Sequence, residues 1–322
     1  MELEFEELDE IEIELIEKLS KDLKKAGKTL SKDEARFLID AYYRTQEQRI
    51  RYDAQIRALK GADEPHTLLS WFSRQSSMLE TALKAPLEQW SFTTPAGRWC
   101  RDHVCGVGPI ITAGLLAHID IERVQYAGQI WSYAGLNPSQ EWGKGEKRPW
   151  NAELKKLCFK IGESFVKVQR LEKDFYGKLF AKKKAELWEK NLKGEFADAA
   201  ATKTVGKTTE AYKWYNGLIS PTWAGKILKE GKSFPATAKT VKKGVPMLPP
   251  AHIHSRARRW TVKMFLSHLF EVMYISHHGE EPPIPYILTQ DNHNQRVYPP
   301  GFSQWLAEEP TCPTIGEGIA LE

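Results

Sequence analysis

The residues of this chain with the clearest capacity for chemistry are cations interleaved with aromatic rings in residues 203–263. This block holds thirteen Lys or Arg against two acids, Glu210 and Glu230. Cations bind backbone phosphates and exposed rings stack on bases, so the combination is typical of single-stranded nucleic-acid binding. A solvated lysine-rich loop with buried aromatics is the alternative. The candidate contacts are Lys242, Lys243, His254, Arg256, Arg258, Arg259 and Lys263, with Trp214 and Tyr215 as stacking residues.

A second candidate site is the turn Gly106-Val107-Gly108-Pro109. Both glycines can adopt a positive φ, and Pro109 suits the first position of a following helix. The backbone N–H groups at such a helix N-terminus can hold a phosphate. An αα-hairpin with a glycine cap and no ligand fits the same residues. Downstream lies a basic loop whose cations are also expected to contact phosphates: Lys144, Lys147 and Arg148.

The sequence predicts no catalytic or metal centre. Phosphodiester cleavage by two metals needs converging carboxylates, whereas the acids of this chain follow helical charge patterns. The pairs His252/His254 and His277/His278 lack the carboxylate or cysteine partners of a zinc site. No glycine motif for a nucleotide or dinucleotide and no nucleophile-elbow serine is present, so we expect no cofactor.

Composition predicts a cytoplasmic protein with no membrane partner. The net charge is +4, and no stretch is apolar enough to cross a bilayer. The first twenty residues are acidic, unlike a signal peptide. The four cysteines are irregularly spaced, which indicates reduced thiols.

The elements that must position these residues are helices, because apolar residues recur at intervals of three and four. The predicted helices cover residues 2–26, 31–61, 65–86, 151–190 and 253–276, with ends at Gly27, Gly61 and Pro86. Ser31 and Glu34 form a capping-box pair. The expected fold is mainly α. Residues 1–91 form a helical hairpin or coiled coil that either drives homodimerisation or packs internally, and residues 92–322 form a nucleic-acid-binding domain with long basic loops.

Residues 106–138 resemble the C-terminal domain of insertion-sequence-110-type transposases. In that family a helix-hairpin-helix motif of the form GxGPxTAxxLLAEIG precedes a helix of the form FxSxxQLxxYxGLxP. The residues that match the first motif are Gly106, Gly108, Pro109, Ala113, Leu115, Leu116 and Ala117. Those that match the second are Gln129, Tyr133, Gly135, Leu136 and Pro138. The resemblance implies a helix-hairpin-helix platform for nucleic acid, preceded by a coiled coil.

Two departures separate this chain from those transposases. The resemblance implies an N-terminal RuvC-like domain with four acidic residues, and this chain begins instead with acidic helices. It also implies a recombination serine after the GLxP motif. The corresponding position falls near Gly143, and Ser139 lies closer to the motif than that serine would. We therefore expect a nucleic-acid scaffold without the catalytic residues.

The layout is also similar to that of TIGR-associated (Tas) proteins, which are RNA-guided DNA-binding proteins with a coiled coil and a Nop-like domain, some of them without a nuclease. That resemblance implies a guide RNA and a target DNA as partners, with sequence read by base pairing. Two other functions stay open. One is a transposase-related recombinase with an unrecognised active site, for example at Ser139. The other is a helix-hairpin-helix protein that binds duplex DNA non-specifically.

Overall fold

The computed structural model describes residues 21–219, 244–284 and 296–308, and these residues form helices without a β-strand. The mainly-α prediction is therefore confirmed. The helices, numbered in chain order, are α1 Lys21–Gly27, α2 Lys32–Gly61, α3 Thr67–Phe92, α4 Pro95–His103, α5 Pro109–His118, α6 Ala127–Tyr133, α7 Ala152–Val168, α8 Tyr176–Lys193, α9 Ala197–Ala201, α10 Glu210–Tyr215, α11 Pro250–His278 and α12 Phe302–Glu308. None of these helices is long and apolar enough to cross a membrane.

The chain forms two compact units that do not divide it at a single point. Of the described residues, 21–98 and 108–120 belong to the first unit, and 99–107 together with those from 121 onward belong to the second. Helix α5 therefore belongs to the same unit as α2 and α3. The transposase-like motif that begins at Gly106 contributes to both units.

In the first unit, α2 and α3 form the predicted helical hairpin. The Oγ atom of Ser31 accepts a hydrogen bond from the backbone N–H of Glu34 at 3.1 Å, and the helix ends at Gly61 as the sequence predicts. Between the helices, Arg49 donates from Nε to Glu80 at 2.5 Å. Because Glu80 is nearly buried, this charge-assisted hydrogen bond fixes the register of the two helices.

The prediction that α3 ends at Pro86 is wrong, because the helix continues to Phe92. A proline inside a helix removes one backbone hydrogen bond and costs about 3 kcal/mol unless packing compensates. Helix α1 supplies that packing. Gly27 approaches so closely that a Cβ atom there would lie 2.5 Å from the carbonyl oxygen of Pro86. Tertiary packing thus overrides the local signal.

Helix α11 is the central helix of the second unit and packs against α6, α7 and α8. Its buried face includes apolar residues that recur at intervals of three and four: Val262, Phe265, Leu266, Leu269 and Val272. The ring of Phe265 lies 5.6 Å from that of Phe165 and 5.3 Å from that of Tyr176, centroid to centroid. This apolar anchoring leaves the cationic face of α11, with Arg256 and Arg259, exposed.

The single helix predicted over residues 151–190 is in fact two helices, α7 and α8. The buried residue Asp174 gives the physical reason, because its Oδ1 accepts a hydrogen bond from the N–H of Gly177 at 3.1 Å in the first turn of α8. A Cβ atom at Gly177 would lie 2.7 Å from the carbonyl oxygen of Phe165. A glycine at this point lets α8 begin directly against α7.

Residues 296–308 pack on the core of the second unit. The indole Nε1 of Trp99 donates to the carbonyl oxygen of Pro300 at 2.9 Å. Phe302 and Trp305 of α12 are buried. Residues 2–20, 285–295 and 309–322, where the remaining terminal predictions fall, lie outside the described residues.

Candidate nucleic-acid interface

The loop between α6 and α7, residues 134–151, is closed at its base by Asn151. The backbone N–H of Asn151 donates to the carbonyl oxygen of Tyr133 at 2.8 Å, and its Nδ2 donates to the Tyr133 hydroxyl at 2.9 Å. Its Oδ1 accepts from the N–H of Leu154 at 2.9 Å, which caps α7. Gly135 has a φ of 63°, and a Cβ atom there would lie 2.7 Å from Cγ of Trp150. The motif residues Tyr133 and Gly135 therefore help Asn151 and Trp150 to position the loop.

The tip of the same loop carries the predicted phosphate contacts, all of them exposed: Lys144, Lys147 and Arg148. The indole Nε1 of Trp142 donates to the carbonyl oxygen of Glu146 at 2.7 Å, and the N–H of Gly143 donates to Oε2 of Glu146 at 2.9 Å. The guanidinium carbon of Arg148 lies 4.9 Å from the centroid of the Trp142 ring. These contacts give the tip a defined conformation.

Arg148, Lys155 and Arg259 come together from three separate parts of the chain: the loop, α7 and α11. The pKa of Lys155 is lowered, first by partial burial and then by the charges of Arg148 and Arg259. The pKa of Lys263 is lowered by burial and then by the charge of Arg259. Within the described ranges, none of these four cations forms an ion pair with a carboxylate. A phosphate bound among them would relieve their mutual repulsion. We call these four residues the basic cluster.

The N-terminal half of α11 extends the positive charge beyond the basic cluster. The pKa of His252 is lowered by burial and then by the charges of Arg259, Arg256 and Lys203. Its Nδ1 lies 3.0 Å from the hydroxyl oxygen of Tyr215. Three cations are therefore close enough to His252 to lower its pKa. Arg256 and Arg259 belong to the predicted contacts, and Lys203 lies in the loop after α9.

Two other predicted contacts, Arg258 and His254, have protein partners. Arg258 forms an ion pair with Glu163, and its pKa is lowered by burial and then by the charge of Arg259. The imidazole of His254 packs against the ring of Phe180 at a centroid distance of 5.1 Å. A phosphate at Arg258 would have to compete with Glu163, so Arg258 is less available than Arg259. Lys242 and Lys243 lie outside the described residues.

Trp214 and Tyr215 are core residues, so the expectation that they stack on bases is corrected. The exposed fraction is 0% for Trp214 and 9% for Tyr215. Both belong to the apolar core that includes Trp188, Leu248 and Ile253. Helix α10 directs both rings into the core. The alternative prediction, that the aromatic residues of this block are buried, is therefore correct for Trp214 and Tyr215.

The Gly106–Pro109 turn only partly has the predicted conformation. Gly106 adopts a φ of 88°, whereas Gly108 is extended, with a φ of −84°, and is the N-cap of α5. The carbonyl oxygen of Gly106 accepts a hydrogen bond from Oγ of Ser164 at 2.5 Å. A Cβ atom at Gly106 would lie 3.0 Å from the same Oγ, so this glycine is packed against α7. A phosphate seat at the exposed Gly108 stays a prediction.

The segment that contains the turn and the loop is also the one that matches known proteins. Residues 102–176 match the Transposase IS116/IS110/IS902 family. The match confirms the relation of this segment to those transposases. It includes Asn151 and Lys155 but ends before α11, which supplies Arg259. No curated protein sequence and no solved structure matches the chain.

The transposase-matching segment contains three residues of the candidate interface that the sequence analysis did not select: Trp142, Lys155 and Phe159. The exposed fraction is 43% for Trp142 and 57% for Phe159. Lys155 and Phe159 are four residues apart in α7 and therefore lie on the same face. A signal for Phe159 was available, because it falls outside the apolar stripe of α7 and between Lys155, Lys156 and Lys160.

At the other candidate sites, the structure brings fewer functional side chains together. Within the described ranges, no group of three or more His, Cys, Asp or Glu side chains is arranged to hold a metal ion. Ser139 is exposed, and its N–H donates to Oδ1 of Asn137 at 3.1 Å. The basic cluster is therefore the feature from which a function can be argued.

Proposed function

We propose that the protein binds a guide RNA through the basic cluster and directs it to a DNA target by base pairing. The observation that carries the proposal is that Arg148 and Arg259 lie close to Lys155, and Arg259 close to Lys263, without a carboxylate partner among the described residues. The transposase match of residues 102–176 supports nucleic acid as the class of ligand. The guide RNA itself is supported by the resemblance to Tas proteins.

The physical basis of the proposed binding is neutralisation of phosphates. Each phosphate that contacts a cation releases condensed counterions, so the affinity should fall steeply as salt rises. Contacts to the RNA backbone leave the base edges free to pair with DNA, and the sequence is then read by the RNA. In this proposal the chain supplies binding and positioning but no cleavage.

The decisive experiment is to purify the protein from cells that express its native locus and to sequence the RNA that copurifies. A discrete population of short RNAs is the expected result. If no RNA copurifies and the protein binds duplex DNA of any sequence in a salt-sensitive way, non-specific DNA binding would be the better-supported function.

A charge-reversal experiment tests where the RNA binds. The double variant Arg256→Glu, Arg259→Glu should lose most of the bound RNA, because both side chains are exposed on the cationic face of α11. The matched control is Arg51→Glu, Arg57→Glu, which reverses two exposed arginines on α2 of the first unit. Equal RNA retention by the two double variants would rule out the proposed surface.

We also propose that the chain acts as a homodimer through residues 1–91. The described part of this region exposes apolar side chains, with Phe37 of α2 71% exposed and Leu68 of α3 64% exposed. Analytical ultracentrifugation should show a dimer for the native chain and a monomer for the variant Phe37→Lys, Leu68→Lys. A native monomer at all concentrations would refute dimerisation.

A transposase-related recombinase is the second candidate, and the family match of residues 102–176 favours it. The test is strand cleavage or strand transfer on a DNA substrate with added divalent metal. Activity that Ser139→Ala abolishes would establish this function in place of binding alone. Its absence under conditions where RNA and DNA are bound would leave the guide-RNA proposal as the better account.

A further inference from the structure

We propose that aromatic rings beside the basic cluster, two of them exposed and one half-buried, form a stacking surface for the unpaired bases of a single strand. The surface alternates rings and cations along the loop and α7, with one further cation from α11, and we call it the stacking stripe. Its members are Trp142, Arg148, Trp150, Lys155, Phe159 and Arg258. This inference rests on the proposed function and deepens it, because it identifies the ligand at this site as a single strand with its bases unpaired.

Every ring of the stripe has a cation against it. Arg148 lies 4.9 Å from the centroid of Trp142, Lys155 lies 3.9 Å from that of Trp150, and Arg258 lies 4.3 Å from that of Phe159. Trp142 and Trp150 also contact each other edge to face, with centroids 6.2 Å apart. The rings are therefore held in place by protein contacts before any ligand binds.

The stripe continues from the loop onto α7. Trp150 and Lys155 flank Asn151, which fixes the start of α7 through its hydrogen bond to Leu154. Phe159 follows Lys155 by four residues, which is a rise of about 6 Å along a helix. A strand that lies along α7 would thus meet a cation and a ring within one helical turn.

Exposure and charge favour a single strand over the other occupants. Trp142 and Phe159 have 43% and 57% of their surface exposed, although aromatic side chains are usually buried. The adjoining Lys155 and Arg259 provide the charge that a phosphate backbone requires. The bases of a duplex are stacked inside it and do not reach such rings, whereas unpaired bases stack readily on them.

The test compares binding of a normal single-stranded RNA with that of an abasic strand of the same length, which keeps the phosphates and lacks the bases. By fluorescence polarisation, the full-length protein should bind the normal strand about tenfold more tightly than the abasic strand, as expected for one or two stacked bases. The variant Trp142→Leu, Phe159→Leu should lose this difference and keep the affinity for the abasic strand. The control Tyr126→Leu, which changes an exposed ring that lies outside the stripe and outside residues 1–91, should behave like the native chain.

The possible results distinguish failure of the stacking stripe from failure of the proposed function. Equal binding of both strands by the native chain overturns the stacking stripe and leaves the proposed function standing. Binding of neither strand overturns both. A change of oligomeric state in the double variant, with the preference for the normal strand intact, would show that the rings form an interface between copies of the chain and would overturn the stripe. The comparison of the two strands on the native chain needs no variant, so it decides the question even if a substitution impairs folding.

Discussion

The Nζ atom of Lys155 lies 3.9 Å from the centre of the Trp150 ring, and the two residues lie on either side of the base of the loop. Trp150 also lies against Gly135, which belongs to the motif shared with transposases. The motif therefore acts on the basic cluster indirectly. It places a tryptophan, and the tryptophan helps to place a lysine beside Arg148 and Arg259.

We expect Gly135→Ala to destabilise the second unit and to weaken RNA binding together. The backbone at Gly135 has a φ of 63°, and the new Cβ would lie 2.7 Å from Trp150. Strain of this kind typically costs about 1–3 kcal/mol. Urea denaturation would measure the change in the free energy of unfolding. Gly145→Ala is a suitable control, since Gly145 also has a positive φ, 91°, but a Cβ atom there would meet only open space. Equal destabilisation by the two variants would mean that the contact with Trp150 contributes nothing.

Trp214→Ala should lower the free energy of unfolding by about 3–5 kcal/mol, as expected for a large aromatic side chain removed from a packed core. The exposed fraction of Trp214 is 0%. Trp142→Ala, at an exposed position, should change the free energy of unfolding by less than about 1 kcal/mol. Chemical denaturation followed by circular dichroism gives both values. A small effect at Trp214 would contradict its place in the core and restore it as a candidate stacking residue.

The stability of the second unit should fall as the pH drops from 6.5 toward 4, because His268 is buried in its neutral form. Its Nδ1 lies 2.8 Å from the hydroxyl of Tyr176, and its Nε2 donates to the carbonyl oxygen of Val297 at 2.8 Å. Burial lowers the pKa of His268 from 6.5 to about 4. In this window the unfolded chain binds a proton that the folded chain does not, so this group costs up to about 1.4 kcal/mol of stability per pH unit.

The variant His268→Gln is the control for this pH dependence. It keeps hydrogen-bonding capacity but cannot titrate, so its free energy of unfolding should fall less between pH 6.5 and 4. Burial raises the pKa of Glu271, whose titration acts in the opposite direction and is common to both proteins. The difference between the two pH profiles therefore isolates His268. If the two pH profiles are parallel, His268 is not responsible for the pH dependence of the free energy of unfolding.

RNA affinity should increase as the pH falls, through His252. The pKa of this imidazole is lowered by burial and then by the charges of Arg259, Arg256 and Lys203. A bound phosphate would offset those charges and raise the pKa, so binding would take up a proton and be favoured at lower pH. Fluorescence polarisation at pH 7.5 and pH 5.5 measures the effect. His252→Gln should flatten it, and an unchanged pH dependence in that variant would assign the effect to another group.

Structural features that depend on residues close together in the sequence could be predicted. The cap of α2 at Ser31 and the apolar face of α11 depend on local spacing, and both agree with the structure. The helix end at Pro86 and the stacking role of Trp214 were predicted wrongly because packing from distant parts of the chain decides the roles of both residues. The single helix over residues 151–190 was predicted wrongly because the hydrogen bond from Gly177 to Asp174 and the packing of Gly177 against α7 start a new helix there. The same holds for the site. Arg259 could be selected as a site residue because it lies in the basic block of residues 203–263. Its neighbour Lys155 could not be selected in this way, because only the folded chain brings it close to Arg148 and Arg259.

The closure of residues 134–151 by Asn151 has a consequence for how this protein can vary. Asn151 bonds to both the backbone and the hydroxyl of Tyr133, so the stem of the loop is secured independently of its tip. The tip can then be exchanged, as in an antibody hypervariable loop, without rebuilding the helices beneath it. We expect grafts that replace residues 139–149 to fold and to change ligand preference, which makes this loop the natural place to engineer new recognition.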